Sequence, residues 1–152
     1  MRKHTVHEDK IAPFLWFDGQ AAMAARFYTS IFDRSKILSS SPMITTFLLE
    51  GRRFMALNGG PQFKFNEAIS FLVHCGTQRE VDYYWSKLSR GGKKGQCGWL
   101  KDRFGISWQI VPDVLGELLG DTDEEKSGRA MQAMLRMSKL DITALKRAHK
   151  GM

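Results

Sequence analysis

Several common designs are excluded by what the chain has little of. It holds two cysteines, Cys75 and Cys97, in 152 residues, too few for a disulfide framework or a four-thiolate zinc site. Both read as plain thiols of a reducing cytoplasm. No apolar run approaches the ~18 residues that a membrane-spanning helix needs. The opening MRKHTVHEDK has charge but no apolar segment behind it, unlike a secretory signal. Residues 1–10 are therefore expected to form a flexible N-terminus. His4 and His7 fall in it, as His149 falls in an equally frayed C-terminus.

The net charge is +7, yet nowhere do five like charges run together. Residues 113–152 hold seven basic and seven acidic side chains and cancel; residues 79–112 carry seven basic against three acidic, and residues 26–53 five against two. An excess spread in this way, with no reading motif, does not predict a nucleic-acid partner, and no membrane partner is expected either. What is present is ordinary for a globular domain: 43% hydrophobic and 26% charged residues, in a chain long enough to bury a core.

The chain repeats itself. FLWFDGQAAMAARFYTSI, residues 14–31, lies without a gap over FLVHCGTQREVDYYWSKL, residues 71–88. Phe14 meets Phe71, Leu15 meets Leu72, Gly19 meets Gly76, Tyr28 meets Trp85 and Ile31 meets Leu88. Each copy reads as a short apolar strand, a turn with glycine, and a helix whose apolar residues recur at helical spacing. Asp18 and Thr77 are candidate N-caps, and Gly91-Gly92 ends the second helix. After the first helix come KILSSS, MITTFLLEG and RRFMALN, broken by Pro42 and Gly51; after the second come GQCGWLKDRFG and ISWQIVP, and EGRRFMAL sits on FGISWQIV. Each half is strand, helix, then two or three antiparallel strands. The linker NGGPQFKFNEA carries Gly-Gly-Pro punctuation, and its Phe63 and Phe65 either plug the end of the core or wall a pocket.

In the last strand Ile106, Trp108 and Ile110 share one face and Ser107, Gln109 and Val111 the other, which puts an amide in the middle of an otherwise apolar strand. Gln109 is a ligand, the remnant of one, or a structural hydrogen-bonder. After Pro112 the acidic Asp123, Glu124 and Glu125 open a long helix and suit its N-terminal dipole. Its apolar stripe is Met131, Met134, Leu135 and Leu140, which covers the sheet or reaches a second subunit, and Asp141 caps a last short helix.

Two such modules in tandem resemble the glyoxalase / bleomycin-resistance / dioxygenase superfamily, also called vicinal oxygen chelate. PFLWFDGQAAMAARFYTSIF, FMALNGGPQFKFNEAISF, QCGWLKDRFGISWQIVP and MQAMLRMSKLDITALKRA resemble its PhnB-like group, which often carries the label 3-demethylubiquinone-9 3-methyltransferase. The resemblance runs from about Ile11 to His149 and departs mainly around residues 37–45, where the hairpin is short. It implies an α+β fold: two repeated βαβββ-type modules, residues 11–57 and 68–112, joined by loop 58–67 and forming a curved antiparallel sheet cup, with residues 113–152 as a C-terminal helical extension. Paired or swapped modules are common in the superfamily, so a homodimer is expected.

Superfamily members bind a divalent metal through four positions facing the cup, which need His, Glu or Gln donors. Carried over, those positions fall near Ile11 and Ala68 and on Met55 and Gln109. Three of these cannot ligate a hard divalent ion, so no metal and no other cofactor is expected. Lining residues by strand alternation are Pro13, Leu15, Met55, Leu57, Ser70, Leu72, Ser107 and Gln109, with Asn58, Phe63, Phe65 and Trp99 at the lip. Such walls suit a small molecule, unless the lining packs shut with Gln109 bonded to Ser70 or Ser107. His74 and Cys75 stand at a strand end without the third group a nucleophile needs. For methyl transfer, neither LNGGP nor RGGKKG follows a parallel strand and opens a helix as a nucleotide-type cofactor site requires. Three functions stay open: a non-metal small-molecule binder or enzyme of unassigned reaction, a quinone-type methyltransferase, and a structural dimer with a closed cup.

Overall fold

A computed structural model describes residues 9–152, so the expectations for residues 1–8, with His4 and His7, lie outside the described residues. The chain divides between Lys64 and Phe65 into two units. Among the described residues no helix is long and apolar enough to cross a membrane.

The first unit runs β1 (Phe14–Phe17), α1 (Ala21–Thr29), β2 (Lys36–Ser40), β3 (Ile44–Leu49), β4 (Arg52–Asn58), with strand order β1-β4-β3-β2. The second runs β5 (Ser70–Cys75), α2 (Gln78–Ser89), β6 (Lys93–Lys94), β7 (Trp99–Lys101), β8 (Ser107–Pro112), in the matching order β5-β8-β7-β6. Three helices follow: α3 (Val114–Leu119), α4 (Glu124–Leu135) and α5 (Ile142–Lys150). The α+β class and the duplicated strand-helix-strands pattern are as expected. The sheets are mixed, however: β1 runs parallel to β4 and β5 parallel to β8, and the other pairs are antiparallel. A strand-helix crossover between neighbours makes them parallel. The second strand of the second unit, the two-residue β6, lies in the lysine pair of RGGKKG, too short to leave a period-2 signal.

Each sheet has one face covered by its own helix. In the first unit Ala21, Ala24, Ala25 and Tyr28 of α1 are buried with Phe47, Phe54 and Ala56 of the strands. In the second, Val81, Trp85 and Leu88 of α2 are buried with Leu100, Trp108 and Ile110. Caps account for most of the helix starts. Thr77 accepts from the Glu80 amide, Asp123 from Glu125 and Lys126, and Asp141 from Ala144. Asp18 does not cap α1. Gly19, at φ 76°, lets the chain turn one residue further, and the amide of Ala21 donates instead to Asn58 Oδ1 at 2.9 Å.

The C-terminal helices belong to the second unit. Leu115, Leu118, Ala130, Leu140 and Leu145 form their core, with Met134 and Met137 packed against it. The Gln78 side chain ties this cluster to α2, donating to Leu140 O and accepting from Ile142 N. The stripe read along α4 is cut at Leu135, where the helix ends, and Leu140 lies beyond it. The C-terminus is not frayed at His149: its Nε2 lies 2.8 Å from Asp121 Oδ2, and Gly151 closes α5 at φ 79°.

The turn from β7 to β8 is organised by Asp102, which is 3% exposed. Its Oδ1 accepts from the amides of Phe104 (2.8 Å) and Ile106 (3.1 Å), and its Oδ2 from Trp108 Nε1 (2.9 Å). Removing the carboxylate takes these three hydrogen bonds away from a largely buried turn. Asp102→Ala should therefore lower unfolding free energy by about 3 kcal/mol, read by denaturant unfolding; a change below about 1 kcal/mol would contradict the role given to this side chain.

Candidate functional site

Strand pairing fixes which side chains share the face that each unit's own helix leaves uncovered. Across the second sheet one row reads Ser70, Ser107, Lys101, Lys93, and the next Leu72, Gln109, Trp99. Residues opposite one another in neighbouring strands project to the same side, so both rows lie together on the open face. Gln109 is half-buried and its Nε2 donates to Ser70 Oγ at 2.9 Å. Ser107 is 2% exposed and its Oγ has no partner among the described residues. Lys101 Nζ pairs with Glu67 of the preceding loop, which holds the Glu67 carboxyl below the usual carboxylate range. A cavity of about 220 Å³ opens here, lined by Glu67, Lys93, Lys94, Trp99, Lys101 and Ser107 among others.

In the first unit, Met55 pairs with Phe14 and Leu57 with Trp16 on the open face. Leu15 pairs with Ala56 and Phe17 with Asn58, on the side of α1. The lining expected from alternation thus divides in this unit: Met55 and Leu57 lie on the open face, Leu15 and Asn58 on the other. The cause is the extra turn residue before α1. The ungapped overlay is correct for the helices but one residue out for the first strands, and a one-residue slip exchanges faces. In three dimensions Phe14, not Leu15, corresponds to Leu72; they are 53% and 44% exposed. The Asn58 side chain accepts from Ala21 N and donates through Nδ2 to Pro42 O at 3.0 Å. Phe63 meets the Trp16 ring edge-on at 5.0 Å, and Trp16 Nε1 donates to Gly60 O. Phe65 is half-buried at the start of the second unit.

His74 and Cys75 fall on opposite faces. His74 lies on the open side with Val111, its Nδ1 3.7 Å from Asp113 Oδ1. Cys75 is wholly buried, and burial, helped by Glu80 and Asp113, pushes its thiol up to about 12. A thiol that stays protonated at neutral pH is no nucleophile.

A superfamily metal does not fit these residues. Met55 and Gln109 stand at corresponding places on the last strands, and the residues directly opposite them are Phe14 and Leu72. The first unit thus offers a thioether beside an aromatic ring and the second one neutral amide beside an alkyl chain, so neither presents a hard cation with more than a single oxygen, where such ions take several. Among the described residues no three His, Cys, Asp or Glu side chains converge.

Duplicated four-stranded mixed sheets of this order, each backed by one helix, define a glyoxalase-like fold, and solved structures agree. The fosfomycin resistance protein FosX from Listeria monocytogenes, solved with Mn(II) and sulfate, is 16% identical with a TM-score of 0.56, over 74% of this chain and 95% of that one. Protein PA1353 from Pseudomonas aeruginosa is 18% identical with a TM-score of 0.57, over 68% and 97%. Both similarities concern the fold. The PhnB protein from Bacillus cereus, also described as a 3-demethylubiquinone-9 3-methyltransferase, is 34% identical with a TM-score of 0.63, over 68% of this chain and 99% of that one. The profile of the family described as 3-demethylubiquinone-9 3-methyltransferase matches residues 9–111. The chain belongs to this family, the PhnB-like group of the glyoxalase superfamily. None of the curated proteins matches it significantly.

Protein purified without chelator should accordingly carry zinc, nickel and manganese far below one equivalent by elemental analysis. One metal per chain would mean that a donor set outside the Met55–Gln109 rows exists.

Proposed function

We propose that the protein binds a small organic molecule on the open sheet face around Gln109, without a metal. The observation that carries this is the polar row itself. A face meant only for packing would be apolar, because each unpaired buried polar group costs about 1–3 kcal/mol. Here the side-chain oxygen of Gln109 has no partner among the described residues, beside the orphan Ser107 hydroxyl and the cavity next to Trp99. Pocket walls of this kind, apolar and aromatic with a few placed polar groups, suit small-molecule sites.

The family description suggests quinone-ring methylation, which stands as the second reading. Against it, Gly59-Gly60 follows β4 but leads into a loop, and Gly91-Gly92 follows a helix. Neither makes the strand-to-helix turn that holds a nucleotide-type cofactor. The third reading is an interaction dimer with a closed face.

Native mass spectrometry separates them. The expected result is a co-purifying small molecule that is lost in Gln109→Leu, with that variant's stability within about 1 kcal/mol of the parent because solvent can replace the amide at Ser70. A bare parent protein that also gains no thermal shift from any member of a metabolite library would overturn the proposal. Saturable binding of S-adenosylmethionine would favour the second reading.

We also infer a cytoplasmic homodimer. The two free thiols suit a reducing compartment. Phe14 and Leu72 leave large apolar side chains on faces that their own helices do not cover, and a second copy is the occupant that a closed symmetric assembly supplies. Sedimentation at micromolar concentration should give twice the chain mass, and a strictly monomeric species would remove this part.

A further inference from the structure

We propose that the β6–β7 end of the second unit's open face is an anion subsite, so that the molecule bound beside Gln109 is a small flat compound carrying a carboxylate or phosphate group. This builds on the small-molecule reading above and adds the charge and shape of what binds.

The cavity there is lined by Lys93, Lys94 and Lys101 against a single acid, Glu67. Lys93 and Lys101 stand directly opposite one another on β6 and β7, on the face of Ser107 and Gln109. Two ammonium groups placed side by side repel each other unless an anion lies between or beside them. Glu67 meets that need on Lys101 alone, and it does so from the loop before β5 rather than from the sheet. Its carboxylate shows that an oxyanion fits against Lys101 at this spot.

Ser107 supplies the independent observation. Its hydroxyl lines the same cavity, is buried, and bonds to none of the described residues, although Ser70 and Lys101 flank it in the sheet. An alanine would fill that place without the desolvation cost. A hydroxyl beside an ammonium is a donor pair for one oxyanion, and hydrogen bonds to a charged group are the strong ones. The shape follows from the neighbouring row. Trp99 and Gln109 lie opposite one another, two residues along from Lys101 and Ser107, a step of roughly 7 Å along a strand. That is the reach of a ring lying on the indole with its acid group at the lysine. The ring's polar edge then meets the free oxygen of Gln109.

The test uses the full-length chain, isotopically labelled, titrated by NMR with benzoate, phenyl phosphate and the neutral isostere benzamide. The expected result is saturable movement of the Lys101 and Ser107 amides and the Trp99 indole with one or both acids, in the roughly millimolar range of a fragment. The tighter acid tells carboxylate from phosphate, and benzamide should bind about tenfold more weakly, as loss of one charge-assisted bond predicts. Lys101→Met should bring acid binding down to the benzamide level and leave benzamide unchanged. Glu67→Gln should tighten acid binding by removing the internal competitor. Ser107→Ala should weaken it without destabilising the fold, which a structural hydroxyl would not do. Should Lys101→Met fail to fold, Lys93→Met, at an exposed position, should weaken acid binding alone. Equal binding of benzoate and benzamide, or acid preference intact in both lysine variants, overturns the anion subsite while the open face stands as a site. If neither acid gives a saturable shift, the subsite also falls, and the small-molecule reading is judged by the co-purified mass.

Discussion

Much of the second unit depends on one buried carboxylate. Asp102 gathers two backbone amides of its own turn and the indole of Trp108. The hairpin closes around it, with Asp102 N donating to Ile106 O and Gly105 N, at φ 91°, to Asp102 O. A buried polar acceptor is tolerated only with such company. The consequence is register. Because Trp108 is held on the α2 side, Ser107 and Gln109 must point the other way, and a one-residue slip would send both into the core. The position of the candidate site is therefore set by a residue that is no part of it.

The two units show how one scaffold can carry different chemistry. Strand pairing puts Lys36, Leu48 and Arg53 in the row that in the second unit reads Lys93, Lys101 and Ser107. Beside it, Thr46, Met55 and Phe14 correspond to Trp99, Gln109 and Leu72. Where Asn58 ends β4 and caps α1, Pro112 ends β8, and the second unit uses Thr77 as its cap. Core positions on the helix sides stay apolar in both units, as packing demands. The open faces carry different residues in the two units.

The duplication, the helices and most caps were legible because they rest on local signals: apolar spacing, Thr, Asp or Gly at ends, and a visible self-match. The opposite faces of Trp108 and Gln109 followed from alternation alone. What was not legible depends on turn length or on distance along the chain. One extra residue between Phe17 and Ala21 moved Leu15 to the other face, and nothing in a gapless overlay marks it. Asn58 as a remote cap, Asp121 as the partner of His149, and Glu67 on Lys101 are pairings across 37, 28 and 34 residues. Cys75 was set beside His74 by sequence, but adjacency in a strand means opposite faces. Asp102 lay inside a loop-like string with no period to single it out.

The open face of the second unit carries donors of another kind than a superfamily metal site needs. A divalent ion offers concentrated charge and demands several oxygen or nitrogen ligands at short range. Lysines, a hydroxyl and an amide demand nothing so strict: each makes separable hydrogen bonds whose geometry can follow the guest. Charge of the same sign then comes from side chains rather than from an ion, and it is spread over two strands instead of one point. Such a surface can hold an anionic group and orient it.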